Sequence, residues 1–455
     1  MAKRDVPGIA GRLADFSIRL NYGDLSPEVV LDAKKGVLDT LGVALVGSQD
    51  EGTRKVGKVL DSLGGCATST VLGSDMQAAP TMAAMLNGYA AHVLDYDDTQ
   101  HNCGTHMSAP VLPAALVIAE MYKRSGRDLL TAYVAGFEVG CRLARAARYG
   151  RVLADRGIHA TGFLGHIGAA AAAGQLLGLD VTQMQRNFGI GASQSSGLMR
   201  SFGTMCKGLN AGNAAQDAVF STLLANQGFT GPEEIFDGKQ NLFALIDCVP
   251  DAEEMFRDLG THFEITHNTL KIFACAGWRN PIAEAVMHIA ATHKLEVKDV
   301  ARIRILAWTR VMTLPNYPLP GSGLEAKFSA QHVAAVALID RAGGVAQFSD
   351  ERVRDPVLAE LTGRVTIVGD ETLEPYQIRV IMDTVDGREL TYFIPAQKGD
   401  PRNPLSWDDV VAKFSANATG VLPQGNADRI CAMVKDIESL SDIAQLTRLC
   451  RPGQT

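Results

Sequence analysis

Apolar residues recur at helical spacing through most of the first 270 positions. Val30, Ala33, Val37, Leu38, Leu41, Ala44 and Leu45 mark one face of a helix that Ser26-Pro27-Glu28 opens and Gly47 closes. A hydroxyl cap, a proline at the first turn and an early carboxylate are the start signals such a helix uses. The same periodicity predicts helices near 80–94, 108–124, 127–148, 163–178 and 211–227. Around Gly165-His166-Ile167-Gly168 and Ala169 to Ala173 almost no side chain is bulky, which predicts a helix packed closely inside a bundle.

The period changes after about position 295. Ile303, Ile305 and Ala307 alternate with Arg302, Arg304 and Leu306, as in a half-buried strand. Val365 and Ile367 sit in another, and two further runs flank Asp386-Gly387, a strong hairpin signal. A helix near 324–342 lies among these strands, and after Pro395 the pattern returns to helices. The reading is mainly α with an inserted α+β domain. Residues 1–270 and 396–455 form a large helical domain from both termini, and 271–395 form a smaller α+β lid.

Composition narrows the function. The 455 residues carry a net charge of −7, which disfavours a nucleic-acid surface, since that requires concentrated positive charge. No apolar run reaches the ~18–20 residues of a membrane span, and the N-terminus lacks the apolar core of a secretory signal. Eight scattered cysteines without a CxxC pair give no disulfide framework or thiolate metal site. A cytoplasmic protein with reduced thiols is the expectation.

The densest polar cluster runs from Leu94 to His106, with Asp95, Asp97, Asp98, His101 and His106 ahead of a helix opening at Ser108. One reading is a solvated loop with a cap at Ser108. The other is a carboxylate orienting a histidine that acts near neutral pH. Adjacent acidic residues without further spaced ligands are a poor metal site, and none is expected. His159 opens the small-residue helix, where a helix N-terminus favours the neutral imidazole. His92 and His166, read as mid-helix, fit buried structural histidines better. The Gly- and Ser-rich stretch 189–213 lacks a phosphate-binding GxxxxGK[ST] but holds Lys207 among small residues, with Arg200 nearby. Lys271 is a second such lysine, and either suits an anionic substrate or acid–base work.

These residues fall into longer motifs: LDTLGVALVGS (38–48), NGYAAHVLDYDDT (87–99), GIHATGFLGHIGAAAAAGQLLGL (157–179), FGTMCKGLNAGNAA (202–215), GFTGPEEIFDGKQNL (228–242), LEAKFSAQH (324–332) and KGDPRNPLSW (398–407). In content and order they resemble the MmgE/PrpD family over nearly the whole chain. The resemblance implies a cofactor-free, homodimeric enzyme for small di- or tricarboxylates, its site between a helical domain and a lid. By motif position it assigns Asp95, Thr99, His106, His159, Lys207 and Lys271 to that site. His101 is the alternative to His106 in a loop one residue longer than the decarboxylase pattern. Departures from the family are Asn210, Ala276 and Asn280 where relatives carry histidines, and His332 where they carry tyrosine.

The reactions of such a family share a carbanion next to a carboxylate. Lys207 and Lys271, with Arg200, would neutralise the developing charge. His106 or His159 would move the proton, with Asp95 holding a ring N–H, and Thr99, Asn210 and His332 would contact substrate. A hydro-lyase of the 2-methylcitrate dehydratase kind leads. An epimerase of a dicarboxylate, a decarboxylase and a non-catalytic carboxylate-binding protein follow.

Overall fold

A computed structural model describes residues 8–148 and 152–453. The chain is mainly helical with small sheets. Most of the anticipated helices are present as Pro27–Gly47, Pro80–His92, Ser108–Met121, Gly126–Ala146, Ala160–Leu177 and Cys206–Asn226. Ser26 accepts from the Val29 amide and Pro27 occupies the first turn, so the first helix starts where its cap signals place it. Ser108 does not cap its helix; its hydroxyl instead bonds the Asp98 carboxylate and meets Tyr133.

Small residues decide the packing. A Cβ on Gly136 would lie 2.5 Å from the Gly168 carbonyl oxygen, and one on Gly165 would lie 2.8 Å from Pro110. The Ala160–Leu177 helix is therefore buried between neighbours that approach to backbone distance. Gly212 similarly sits against Met85, where a Cβ would meet the carbonyl oxygen at 2.7 Å. That contact lays Pro80–His92 antiparallel along Cys206–Asn226, so the last residue of one helix, His92, meets the second residue of the other, Lys207.

Four strands form the larger sheet, in the order 365–370, 300–308, 378–384, 389–394. Val300–Trp308 runs parallel to Val365–Asp370 and antiparallel to Ile378–Thr384. The crossover between the parallel pair contains the Ala330–Asp340 helix, as such a connection requires. Ile303, Ile305 and Ala307 face inward and alternate with less buried neighbours, and Gly387, with φ of 86°, turns the hairpin. One apolar cluster gathers side chains from 10–270 and 405–450. A second gathers those of 273–394 together with Val43, Tyr89, Val93, Leu94 and Tyr96. The chain after His92 thus lies where the two clusters meet. No helix among the described residues is long and apolar enough to cross a membrane.

Candidate functional site

The polar cluster after His92 is not a solvated loop. Every residue from Leu94 to Gln100 is buried, and each turn of the segment is tied down. Lys413 donates to the Tyr96 carbonyl oxygen (3.0 Å), Asn268 donates to Asp98 (2.5 Å), and Gln100 donates to Glu264 (2.5 Å). Thr99–Gln100 pairs antiparallel with Asn268–Thr269, which brings Lys271 beside Asp95. Asp95 itself takes a left-handed φ of 52°, a conformation aspartate tolerates better than most residues. Burial pushes the Asp98 carboxyl up to about 7.

Around this segment runs a continuous polar chain. Lys271 Nζ donates to Asp95 Oδ1 (2.7 Å) and to the Asp95 carbonyl oxygen (2.9 Å). Lys207 Nζ lies 2.7 Å from Asp95 Oδ2 and donates to His92 Nε2 at 3.0 Å. His92 Nδ1–H then donates to Asp97 Oδ2 (2.7 Å), and His106 Nδ1 lies 3.2 Å from the same oxygen. The two ammoniums expected to neutralise substrate charge therefore converge on one carboxylate. Asp97, not Asp95, holds the imidazoles. His92, expected to be merely structural, links Lys207 to Asp97 and stacks at 5.3 Å on His159.

The chain fixes protonation. With Asp97 accepting at Nδ1, His106 is left with an Nε2 lone pair. Burial pulls its pKa down to about 4 against the pull of Asp97, so the ring is neutral at pH 7. Asn210 Nδ2 donates to His159 Nδ1 (2.9 Å), which places the His159 proton on Nε2, an atom with no partner among the described residues. Burial first, then Lys207, holds His159 well below the ordinary histidine range; the helix N-terminus anticipated for this role is not the main cause. Asn210 thus serves the site by fixing a tautomer. His92, Asp97 and His106 offer donor atoms within 4.8 Å of one another, the spacing of a metal site. Asp97 Oδ2 is engaged by both rings, however, and an ammonium faces His92 Nε2, so this donor set suits hydrogen bonding better than a cation.

Thr99, His101 and His106 open onto a cavity of about 640 Å³ whose other side is built by residues such as Trp278, Arg279, Trp308 and Phe328. His101 stacks on Tyr376 at 3.6 Å and its Nε2 has no partner among the described residues. Asp95, His159, Lys207 and Lys271 lie behind this lining, next to His106. Arg200 is exposed, and His332 is buried elsewhere, its Nε2 against the Gln347 carbonyl oxygen at 2.9 Å. Ala276 lines the cavity, whereas Asn280 bonds the backbone of Phe273 and Cys275. Sequence reasoning missed Asp97, His92 and Arg279 as site residues. A signal existed for Asp97, which shares the DYDD run, whereas His92 was hidden because the helix read to 94 ends at His92 itself.

The motif resemblance has an independent counterpart. The pattern of the MmgE/PrpD N-terminal domain matches residues 11–254, and that of the MmgE/PrpD C-terminal domain matches 273–439. The chain belongs to the MmgE/PrpD family. Among MmgE/PrpD-related proteins, cis-aconitate decarboxylase of Homo sapiens is 30% identical over 446 residues, spanning 95% of this chain and 92% of that protein. Cis-aconitate decarboxylase of Mus musculus is 29% identical over 467 residues, spanning 99% and 94%. Cis-aconitate decarboxylase of Aspergillus terreus is 25% identical over 471 residues, spanning 97% and 96%.

Proposed function

We propose that this MmgE/PrpD protein is a lyase acting on a small di- or tricarboxylate through a carbanion next to a carboxylate. The observation that carries this reading is His106, held at Nδ1 by Asp97 while its ring borders the cavity. An entering dianion raises the basicity of every imidazole near it, which brings a ring with a resting pKa of about 4 toward working range. His159 lies behind it as a neutral ring with a proton on Nε2, its centroid 6.5 Å from that of His106.

Decarboxylation is the form of lyase chemistry this arrangement favours. The bond to the departing carboxylate breaks, CO2 leaves, and the electron pair delocalises into the remaining carboxylate. One proton then closes the carbon. Epimerisation requires two acid–base groups on opposite faces of one carbon, and dehydration requires a base at one carbon with an acid at the hydroxyl of its neighbour. The imidazoles of His92, His106 and His159 cluster together, and the cavity lining joins the apolar side chains of Trp278, Trp308, Leu314 and Phe328 to the guanidiniums of Arg279 and Arg310. A departing carboxylate seated against the Trp278, Trp308, Leu314 and Phe328 part of that lining is destabilised more than the dispersed transition state, which promotes loss of CO2. The names of the relatives agree with this order, which places the decarboxylase ahead of the hydro-lyase that sequence alone put first. A hydro-lyase is the second reading, and His101 favours it: with Nδ1 turned to Asp400, its unpartnered Nε2 is a further acid–base atom on a residue that lines the cavity.

The test is turnover in deuterated water with cis-aconitate, citrate and 2-methylcitrate. Release of CO2 with one deuterium on the product carbon is expected. A gain of alkene absorbance without CO2 would transfer the assignment to the hydro-lyase. Deuterium wash-in without net conversion would transfer it to an epimerase. Tight binding of all three acids without turnover would leave a carboxylate-binding protein.

A further inference from the structure

Arg279 is 1% exposed, yet it borders the cavity. Its Nη2 donates only to backbone, to the carbonyl oxygens of Phe328 (2.7 Å) and Pro315. Its Nε has no partner, and among the described residues no carboxylate pairs with it. The guanidinium lies 4.1 Å over the Trp278 ring. Arg310, the other arginine lining this cavity among the described residues, is by contrast paired with Asp155. Behind the lining, next to His106, the charges cancel as well, with Lys207 and Lys271 set against Asp95 and Asp97. Among the described residues that line this cavity, Arg279 is therefore the permanent cation without a carboxylate counter-charge. Burying such a charge is costly unless something pairs with it. A planar guanidinium whose hydrogen-bonding capacity the protein leaves unfilled matches the geometry of a carboxylate.

We infer that Arg279 is a specificity-determining residue that anchors a substrate carboxylate remote from the reacting carbon, so that the site selects tricarboxylates over dicarboxylates. The inference rests on the lyase reading for its substrate class. It predicts that the carboxylate lost as CO2 is not the one Arg279 holds, because an ion pair would oppose that loss.

The experiment compares wild type with Arg279→Met and Arg279→Lys, using two inert ligands, tricarballylate and glutarate, measured by calorimetry. Wild type should prefer tricarballylate, and Arg279→Met should lose on the order of 100-fold in that affinity while glutarate changes little. Arg279→Lys should recover part of the loss. In turnover, the Met variant should raise KM for a tricarboxylate with a smaller change in kcat. Without ligand, its Tm should be unchanged or higher, since an unpaired buried charge has been removed. An equal loss for both ligands would overturn the inference, as would a Met variant that does not fold. If wild type binds as described yet turns nothing over, the lyase reading fails and the anchor stands. If wild type turns over and the variant keeps the tricarboxylate preference, the anchor fails alone.

Discussion

Two buried aspartates near this site are paired with lysine, and they behave in opposite ways. Asp39 meets Lys413 at 2.6 Å. Burial dominates there, so the Asp39 carboxyl is pushed up and the Lys413 ammonium down. At Asp95 burial acts in the same direction, but Lys207 and Lys271 together overcome it and hold the carboxyl well below its ordinary range. Lys271 is raised in turn, chiefly by Asp95 and then Asp97 against burial. One counter-charge does not offset dehydration, and two do. The first pair can relax toward neutrality by sharing a proton. The second is locked in its charged form. That difference matches their positions: Lys413 holds the Tyr96 backbone, whereas Asp95 lies within one residue of the imidazole-bearing chain through Lys207.

Asp95→Asn is the most disruptive single change. It strands two ammoniums in the interior, and removing one partner from a buried ion pair typically costs about 3–5 kcal/mol. Urea denaturation should show a loss of that size, and added tricarballylate should restore part of it. A cost below about 1 kcal/mol would mean the lysines find solvent or other partners, and the contrast with Asp39 would vanish. Asp97→Asn comes next. It keeps the shape but no longer demands a proton on His106 Nδ1, as when the aspartate of a catalytic triad is amidated, a change worth roughly 10⁴ in rate. A fall in kcat of about 10²–10⁴, with KM changed less, is expected. A kcat within threefold of wild type would remove His106 from the proton-handling role.

The Asp39–Lys413 pair should prove replaceable. The double variant Asp39→Leu, Lys413→Met should lie within about 2 kcal/mol of wild type, and could be more stable, since exchanging a buried ion pair for apolar residues is often neutral. The single change Asp39→Leu should cost more than the double. If the double variant folds but loses activity while keeping its Tm, the pair positions the 95–99 segment through the Tyr96 carbonyl. It would then belong with Asp95 instead of standing against it.

Much of this arrangement was legible from residues alone. The alternation of Ile303, Ile305 and Ala307 and the Asp386-Gly387 turn are local signals, and local geometry obeyed them. The run Gly165 to Ala173 announced a buried helix because only small side chains let backbones approach that closely. What stayed hidden was set by pairing between distant segments. No spacing within LDYDDT says that Asp95 turns to lysines 112 and 176 positions away while Asp97 turns to histidines. A left-handed backbone at Asp95 makes that division, and it is invisible to periodicity. Arg279 was hidden for a related reason: a charge without a partner can be recognised only once all its neighbours are known.

His332 provides the smallest and cleanest test, because it was expected at the substrate and lies instead in the second apolar cluster beside Phe348. Burial pushes its pKa down to about 4, against the Gln347 carbonyl that favours the charged ring. Its ordinary value is 6.5, so between pH 6.5 and 4 the unfolded chain binds a proton that the folded chain refuses. Stability from this group is thus complete above 6.5 and drains away on acidification, by at most about 1.4 kcal/mol per pH unit. His332→Phe should cost roughly 1 kcal/mol at pH 7, for the lost hydrogen bond, and leave kcat/KM within twofold. By pH 5 the variant should match or exceed wild type in stability, because it no longer carries the proton-refusing ring. A parallel pair of stability–pH curves would mean that His332 reaches water. A tenfold loss of kcat/KM with tricarboxylate substrates would return it to the site.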